Sequence, residues 1–295
     1  MLKIIYIKSL IYFARLFHFI TGVKESRLEP IICRKLTGID YVLITKTSDG
    51  LKWKLPLGSY VDCKIALDAL ELNVLKFVHS LKIEKTIVVD MGANVGGVTL
   101  RLAKCVGKGG EVIAYEPNPE TRGRLIENIK LNGFHNVTII PKGVWSSEDS
   151  FDLLLPKHSN TGTASFLDKE SNLGGEKVNV EVESFDQRWK SIGKKKVSLV
   201  KMDIQGAEEE AIKGMEEMLK ACKPFVIMEV AGESQRFSQR ISSVAQTFAA
   251  CGYASCTLLK IKEASQKHFT IDEAIKGNWD HLSGDIVFSP NEKKE

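Results

Sequence analysis

The sequence is poor in cysteine and proline, and it has no long uninterrupted apolar run. Six cysteines and eight prolines are spread over 295 residues, and no two cysteines form a C-x-x-C pair. This density is far below that of a disulfide-stapled scaffold, so that class of protein is excluded. The cysteines lie in apolar segments, which predicts reduced core thiols and a cytoplasmic chain.

An excess of charge of one sign is also absent. The chain has 41 Lys and Arg against 37 Asp and Glu, which gives a net charge of +4 and a pI near 8.6. The dense basic field that non-specific nucleic-acid binding requires is therefore missing. The composition is 43% hydrophobic and 26% charged. This is close to the globular average and predicts a sizeable buried core.

The most apolar stretch, residues 1–20, is interrupted by basic residues, which disfavours both a secretory signal and a membrane span. These residues are Lys3, Lys8, Arg15 and His18. On a helix they fall within one arc of about 140°. The rest of the helix surface carries Leu2, Ile5, Phe13, Leu16 and Ile20. Two interpretations stay open: the apolar side packs on the domain core, or the helix lies at a membrane interface with its basic side at anionic headgroups.

Residues 1–80 are expected to form an α+β extension, which precedes the main domain of residues 81–295. Two β-prone runs flank Ser48-Asp49-Gly50. Because glycine takes a positive φ readily, a hairpin is predicted there. Apolar residues at helical spacing over 63–78 predict a helix after the hairpin.

From Lys85 onwards, short β-branched runs alternate with helix-length amphipathic segments. The five predicted strands are residues 86–90, 112–115, 137–140, 197–202 and 225–230. Near-continuous apolar strands between helices are typical of an α/β fold with a mostly parallel sheet, covered on both faces. An antiparallel insertion is predicted at residues 150–155 and 177–183. The chain is expected to end in a hairpin on the sheet edge, formed by residues 253–260 and 284–289.

Two helices fit this order of elements. Asn118-Pro119-Glu120 supplies an N-cap, a proline at the first helical position and an acid in the first turn, so a helix begins there. A second helix is predicted over residues 207–220, with Met215 and Met218 in its buried stripe.

The sharpest local signal lies where the first of these strands meets its helix, in TIVVDMGANVGGVTL. The strand ends in Asp90, and Gly92 and Gly96 follow. In an open α/β sheet, ligands bind at this turn, where a glycine lets the backbone approach them closely. Asn94 stands in place of the second glycine of the dinucleotide pattern G-x-G-x-x-G. A nucleotide without phosphates is therefore favoured over NAD.

The next strand ends in Glu116, where an acid commonly meets the two hydroxyls of a ribose bound over the glycine turn. Its carboxylate can accept hydrogen bonds from both. Asp90 is costly to bury unless a positive group compensates it, so a ligand ammonium is predicted beside it. A ribose, an ammonium and no phosphate together describe S-adenosylmethionine (SAM). Helix–strand packing for the glycines, and a first-turn helix acid for Glu116, are the structural alternatives.

Over residues 85–289 the sequence resembles the FkbM family of class I SAM-dependent methyltransferases. The similar motifs are VVDMGANVGGVTLRLA, VIAYEPNP, VEVESFDQRW and LVKMDIQGAEEEAIKGM. Gln205 departs from the family, which usually has glutamate at this position. The resemblance implies a Rossmann-like sheet with an antiparallel last strand. The cofactor contacts it implies are Asp90, Gly92, Ala93, Asn94, Gly96, Glu116, Pro117, Lys142, Gly143 and Val144.

The resemblance also implies that the methyl acceptor is a hydroxyl, on a small molecule or a glycan. A hydroxyl must lose its proton, and Asp203, at the end of the fourth strand, is the first candidate for the general base. Glu229, at the end of the fifth, is the second. Asp203 is open to a cofactor-binding or helix-capping role instead, and Glu208 is expected to complement the dipole of the next helix. No spacing demands a metal ion, although these three carboxylates contain the oxygens that suit Mg²⁺.

The acceptor is expected to contact the polar loop 157–176. The polar residues of this loop are Asn160, Thr161, Thr163 and Ser165. A nucleic acid is disfavoured as partner, because residues 203–206 contain no aromatic side chain to stack on a flipped base.

Two other functions stay open. One is a non-catalytic SAM-binding or membrane-associated scaffold. The other, which the glycine spacing disfavours, is a nicotinamide-dependent oxidoreductase.

Overall fold

A computed structural model of the chain describes residues 2–21, 28–37, 39–156, 175–230, 235–259, 266–277, 279 and 284–290. Its centre is an eight-stranded sheet with an apolar cluster on each face. The helices are α1 (Leu2–Thr21), α2 (Leu28–Leu36), α3 (Tyr60–Ala66), α4 (Leu72–Ser80), α5 (Thr99–Val106), α6 (Pro119–Asn132), α7 (Phe185–Ser191), α8 (Glu208–Lys213), α9 (Glu216–Cys222), α10 (Gln235–Ala250) and α11 (Ile271–Lys276).

The strands form three sheets. They are β1 (Leu43–Lys46), β2 (Lys52–Leu55), β3 (Ile87–Met91), β4 (Glu111–Tyr115), β5 (Val137–Ile140), β6 (Gly143–Val144), β7 (Asp149–Pro156), β8 (Gly175–Glu183), β9 (Val197–Met202), β10 (Phe225–Val230), β11 (Tyr253–Leu259), β12 (Gln266–Thr270) and β13 (Gly284–Pro290). The largest sheet has the strand order β12-β11-β13-β10-β9-β3-β4-β5.

The five strands from β5 to β10 are parallel, and their bounds agree with the five predicted strands to within one residue. The α/β fold class, with a mostly parallel Rossmann-like sheet, is therefore confirmed. Every residue of β3 is buried, as expected for a central strand covered on both faces.

The last strand, β13, runs antiparallel between β10 and β11. The predicted pairing of the two terminal segments is confirmed, but their place at the sheet edge was wrong. Because β13 pairs on both of its sides, the pair lies inside the sheet. Strand β12, which the sequence analysis missed, pairs with β11 and forms the edge.

The hairpin predicted around Gly50 is confirmed, since β1 and β2 pair antiparallel. The buried indole N–H of Trp53 donates to Thr47 Oγ1 at 2.8 Å. Arg101 of α5 lies over the Trp53 ring and pairs with Asp49 in the hairpin turn at 2.7 Å. The extension therefore shares a core with the helices of the main sheet, and the domain boundary at residue 80 stays a prediction.

The single helix predicted over 63–78 was wrong, because α3 ends at Ala66 and α4 begins only at Leu72. The backbone between them is left-handed at Asp68 and at Glu71, with φ of 58° and 51°. The Asp68 carboxylate accepts a hydrogen bond from the backbone N–H of Ser48 in the hairpin turn, at 3.0 Å. This contact is distant in sequence, so helical periodicity does not reveal it.

Helix α1 packs on the extension, but with the face opposite to the apolar side that the first of the two interpretations required. Ile7, Ile11 and Ala14 are buried, and on the helical wheel they lie between the basic positions. Ile5 and Phe13, which the core-packing interpretation placed against the domain, are 53% and 65% exposed. The more apolar side of the helix therefore faces outward.

The inward turn of one basic side chain explains this orientation. The Arg15 guanidinium donates to the carbonyl oxygen of Ala66 at 2.7 Å and to that of Lys46 at 2.9 Å, and it pairs with Asp68 at 3.4 Å. It thereby donates to backbone carbonyls at the end of α3 and at the end of β1. These charge-assisted bonds hold α1 with its basic side toward the extension.

The helix predicted over residues 207–220 is interrupted at Gly214 and forms α8 and α9. A Cβ at Gly214 would lie 1.9 Å from the carbonyl oxygen of Trp145, so the segment that follows β6 lies directly against the chain at this point. The Asp186 carboxylate then accepts two backbone N–H groups in the first turn of α9, at 2.9 and 2.8 Å. Both methionines of the predicted buried stripe do lie in the core.

The predicted insertion is confirmed as the antiparallel pair β7 and β8, to which the short β6 adds in parallel. The polar residues of the predicted acceptor loop, Asn160, Thr161, Thr163 and Ser165, lie outside the described residues. Within the described part of the chain, no helix combines the length and apolar character needed to cross a membrane.

Candidate functional site

The candidate site lies at the carboxyl ends of β3 and β9, where the strand order of the sheet reverses. Ligands of open α/β sheets bind in the crevice that such a reversal opens. Gly92 follows β3 with φ of 83°, and a Cβ on it would lie 2.0 Å from the carbonyl oxygen of Asp203. The backbone N–H of Asp203 donates to the Met91 carbonyl at 3.0 Å. Glycine at position 92 therefore permits the two strand ends to meet.

Asp90 is fully buried near the end of β3. Thr99 Oγ1 donates to its Oδ2 at 2.6 Å. Lys201 is its register partner on β9, and the Lys201 Nζ lies 3.9 Å from Asp90 Oδ1. The positive charge predicted to come from a ligand is thus supplied by the chain itself. Burial raises the pKa of Asp90, and the Lys201 ammonium offsets part of this effect.

Glu116 directly follows β4 and faces the same turn. Its Oε2 accepts from the backbone N–H of Asn94 at 2.8 Å, and its Oε1 accepts from that of Asn118 at 2.9 Å. Burial raises the pKa of Glu116 to about 7, although these two bonds favour the carboxylate. Each oxygen has capacity for a further donor. The carboxylate therefore braces the glycine turn and can also accept from a diol.

The other predicted cofactor contacts lie on several separate segments of the chain. A Cβ at Gly96 would lie 2.5 Å from a methyl group of Leu100, so this glycine serves the packing of α5. Lys142 pairs with Glu181 on β8 at 3.0 Å, and residues 143–144 form β6. Ala93 and Asn94 lie in the glycine turn, whereas Pro117 follows Glu116 and the segment 142–144 continues from the end of β5.

The two candidate bases form one linked pair at the carboxyl edge of the sheet. Asp203 follows β9, and Glu229 lies near the end of β10. The side-chain amide of Gln205 donates through Nε2 to Asp203 Oδ1 at 2.7 Å and to Glu229 Oε2 at 3.1 Å. Lys201 Nζ lies 3.6 Å from Asp203 Oδ2. A change in the charge of one carboxylate therefore shifts the pKa of the other.

Three residues of this cluster escaped the sequence analysis: Lys201, Glu71 and Asp285. Lys201 left a signal, because a lysine inside an apolar central strand needs buried partners. Glu71 comes from the extension, and the antiparallel register of β13 sets Asp285 opposite Glu229; neither leaves a local signal. Burial, and next the Glu71 carboxylate, raise the pKa of Asp285 to about 8.

The ionisable groups of the cluster differ in how readily they carry a charge. Burial opposes the Lys201 ammonium, yet the surrounding carboxylates outweigh burial and raise the pKa of Lys201. Burial also opposes ionisation of Asp203, but Lys201 and Gln205 outweigh it and hold the pKa of Asp203 below its ordinary value. Desolvation, and next the Asp203 carboxylate, raise the pKa of Glu229 to about 8, although part of its side chain stays in contact with solvent. At neutral pH the pair therefore contains an ionised Asp203 and a protonated Glu229.

Glu208 lies in the first turn of α8, where a carboxylate complements the helix dipole, as expected. Its Oε1 accepts from the backbone N–H groups of Ile204 and Gly206 at 3.3 and 3.2 Å. Among the residues that the structure describes, no group of three or more His, Cys, Asp or Glu side chains has the arrangement to hold a metal ion. Asp203, Glu208 and Glu229 do not form such a group.

A comparison with protein families and curated proteins gives two matches. The family model described as the Methyltransferase FkbM domain matches residues 90–255. The chain is also similar to the hexuronic acid methyltransferase AglP of Haloferax volcanii, with 30% identity over 161 residues. This match covers 54% of the chain and 62% of AglP, so the chain spans less than two thirds of that relative.

Solved structures match at low sequence identity. A methyltransferase FkbM from Methylobacillus flagellatus KT is 14% identical, with 78% of this chain and 53% of that chain covered and a TM-score of 0.43. A SAM-dependent O-methyltransferase from Thermotoga maritima is 14% identical, with 86% and 79% covered and a TM-score of 0.40. Neither likeness carries weight beside the family match.

The raised pKa of Glu229 predicts a pH-dependent effect of Glu229→Gln on stability. The folded chain holds the Glu229 proton up to about pH 8, whereas the unfolded chain releases it near the ordinary value of about 4.3. The stability that this proton contributes is present at low pH and is lost as the pH rises through about 8. The melting temperature of Glu229→Gln is therefore expected to rise relative to the wild type between pH 5 and pH 9.

Thermal unfolding of both proteins, followed by circular dichroism across this range, measures the difference. Glu120→Gln, at an exposed position in the first turn of α6, controls for the loss of one carboxylate. A constant difference between Glu229→Gln and wild type would contradict a raised pKa.

Proposed function

The chain belongs to the FkbM methyltransferase family, whose methyl donor is SAM, and we propose that it is an O-methyltransferase acting on a hydroxyl of a glycan or another small molecule. The observation that carries this proposal is the position of the Asp203 carboxylate, which lies 3.6 Å from the Lys201 ammonium and accepts a hydrogen bond from Gln205, next to a turn that suits the donor. A carboxylate in this place meets the need of a hydroxyl acceptor, which must lose its proton as it is methylated.

The chain's own residues at the turn fit SAM. The buried Glu116 carboxylate can accept from both ribose hydroxyls, and the buried Asp90 Oδ1 has no hydrogen-bond partner among the described residues. The turn from Gly92 to Asn94 would hold the donor, with the remaining predicted contacts at Ala93, Gly96, Pro117, Lys142, Gly143 and Val144. When bound, SAM supplies a methyl group that its sulfonium has already activated.

Asp203 is the proposed general base. Lys201 and Gln205 stabilise its ionised form, so its Oδ2 can accept the proton of an acceptor hydroxyl at neutral pH. Glu229 carries a proton up to about pH 8, which suits it to donate a hydrogen bond to the acceptor rather than to deprotonate it. The enclosing strand ends orient the acceptor, and such alignment supplies much of the acceleration in a displacement reaction.

A glycan acceptor is supported by the similarity to a protein named as a hexuronic acid methyltransferase. Sugar hydroxyls are weak acids, so they need the base that Asp203 offers. The acidic cluster around Lys201 further favours an acceptor that presents hydrogen-bond donors to it.

Glu116→Ala is expected to weaken SAM binding at least tenfold. The ribose would lose a charged acceptor, and hydrogen bonds to charged groups contribute about 1.5–3 kcal/mol, where each 1.4 kcal/mol is a factor of about ten in affinity. Calorimetric titration with SAM, S-adenosylhomocysteine and NAD measures this, with Glu120→Ala as the matched control. Unchanged SAM affinity in Glu116→Ala, or NAD binding as tight as that of SAM, would refute the assignment.

Asp203→Asn is expected to lower methyl transfer about a hundredfold or more, the usual contribution of a general base, while SAM affinity is retained. Radiolabelled SAM, offered with neutral glycosides and with uronic acid glycosides, measures the transfer. Full activity of Asp203→Asn would exclude it as the base. If the wild type binds SAM but methylates no glycoside, the non-catalytic scaffold becomes the better explanation.

We further propose that α1 makes peripheral contact with an anionic membrane. Of the eleven large apolar side chains that are exposed within the described residues, nine lie between residues 4 and 44, and six are on α1. Exposed apolar side chains in such density mark an interaction surface. Residues 1–60 also contain ten Lys and Arg against four Asp and Glu. An apolar face within a basic segment is complementary to an anionic lipid surface.

Phe13→Asp is expected to reduce binding to anionic vesicles about tenfold or more, because burial of a Phe side chain is worth about 1.5–3 kcal/mol. Flotation with phosphatidylglycerol vesicles at low salt measures binding, which should weaken at higher salt. Leu131→Asp, at an exposed apolar position on α6, is the matched control. Equal loss in both variants, no binding by the wild type, or an apolar face buried in a dimer that Phe13→Asp dissociates would each overturn this proposal.

A further inference from the structure

Gln205 combines an unfavourable backbone conformation with a bridging side chain. Its φ is 52°, a left-handed value that favours glycine or asparagine and is uncommon for other residues. Strained residues of this kind persist where the surroundings compensate the cost, commonly at functional sites.

The compensation lies in the contacts of the Gln205 amide. A single nitrogen, Nε2, donates to Asp203 Oδ1 at 2.7 Å and to Glu229 Oε2 at 3.1 Å. Two carboxylates this close repel each other when both are ionised, and a neutral amide donor between them relieves part of that repulsion. A carboxylate at position 205 would instead add a third negative charge.

We infer that Gln205 is a positioning residue, whose amide holds Asp203 and Glu229 as a pair that shares a single proton, with Asp203 the ionised member. The inference rests on the proposed function, because it concerns how the base of that reaction is kept ready. Gln205 acts through the two carboxylates and exchanges no proton itself. Its left-handed backbone is what aims the amide back at both of them.

Other charged groups also shift the pKa values of this pair, in addition to the effect of Gln205. Lys201 stabilises the ionised Asp203 from β9, and the remaining carboxylates oppose a second negative charge. The charged groups around the pair are Lys201 on β9, Asp90 on β3, Asp285 on β13, Glu208 on α8, and Glu71 and Lys64 from the extension. Gln205 Nε2 donates to both carboxylates at once, which gives the amide an effect distinct from that of a single charge.

The test is a titration of the full chain by ¹³C NMR of its Asp and Glu carboxyl carbons, without SAM or acceptor. Asp203→Asn and Glu229→Gln assign the two resonances. In the wild type, Asp203 is expected to stay ionised throughout a range in which Glu229 titrates. Gln205→Gly removes the amide and suits the left-handed backbone, so the fold is retained.

In Gln205→Gly both titration steps are expected to move up, that of Asp203 by about one pKa unit, since a charge-assisted bond is lost. Gln205→Glu should move them further, and the pair should then hold an additional proton at neutral pH. Unchanged steps in Gln205→Gly would show that the amide serves only the turn and would overturn the inference. Because no donor or acceptor is present, failure of methyl transfer would leave this result intact.

Discussion

The site depends on one buried ammonium, that of Lys201, between the ends of β3 and β9. An isolated charge in this position would be strongly unfavourable, as would the fully buried Asp90 beside it. Together with Asp203 they compensate each other, and removal of Lys201 would leave both carboxylates without a positive partner. This ion cluster joins the two strands at the reversal of the sheet order. It therefore keeps the Gly92 turn in contact with Asp203, at the base of the crevice.

The cluster contains more carboxylates than cations, and protons balance the difference. Glu229 and Asp285, opposite one another on β10 and β13, retain their protons up to about pH 8, while Asp203 is ionised. The two sides of the crevice thus have different chemistry. Glu116 offers an acceptor for a diol on the β4 side, and a carboxylate with a protonated neighbour lies on the β9 and β10 side.

The extension contributes to both the site and the surface. It supplies Glu71 to the charged cluster, and its hairpin is tied to α5 through the pair of Arg101 and Asp49. The inward turn of Arg15 leaves the apolar face of α1 exposed. The extension therefore contributes charge to the site as well as the exposed apolar surface of α1.

By itself the sequence determined what depends on near neighbours: the positions of the five central strands, the hairpin at Gly50, the N-cap at Asn118, the glycine turn after Asp90, and Glu116 at the end of the next strand. Periodicity and turn chemistry encode these features, because each rests on contacts within a short stretch of chain. Only the tertiary structure decided which face of α1 is buried, where the helices break at Asp68 and Gly214, and that Glu71 and Asp285 reach Lys201. Each of these is set by a hydrogen bond, close approach or strand register between segments that are distant in sequence, for which no local pattern exists.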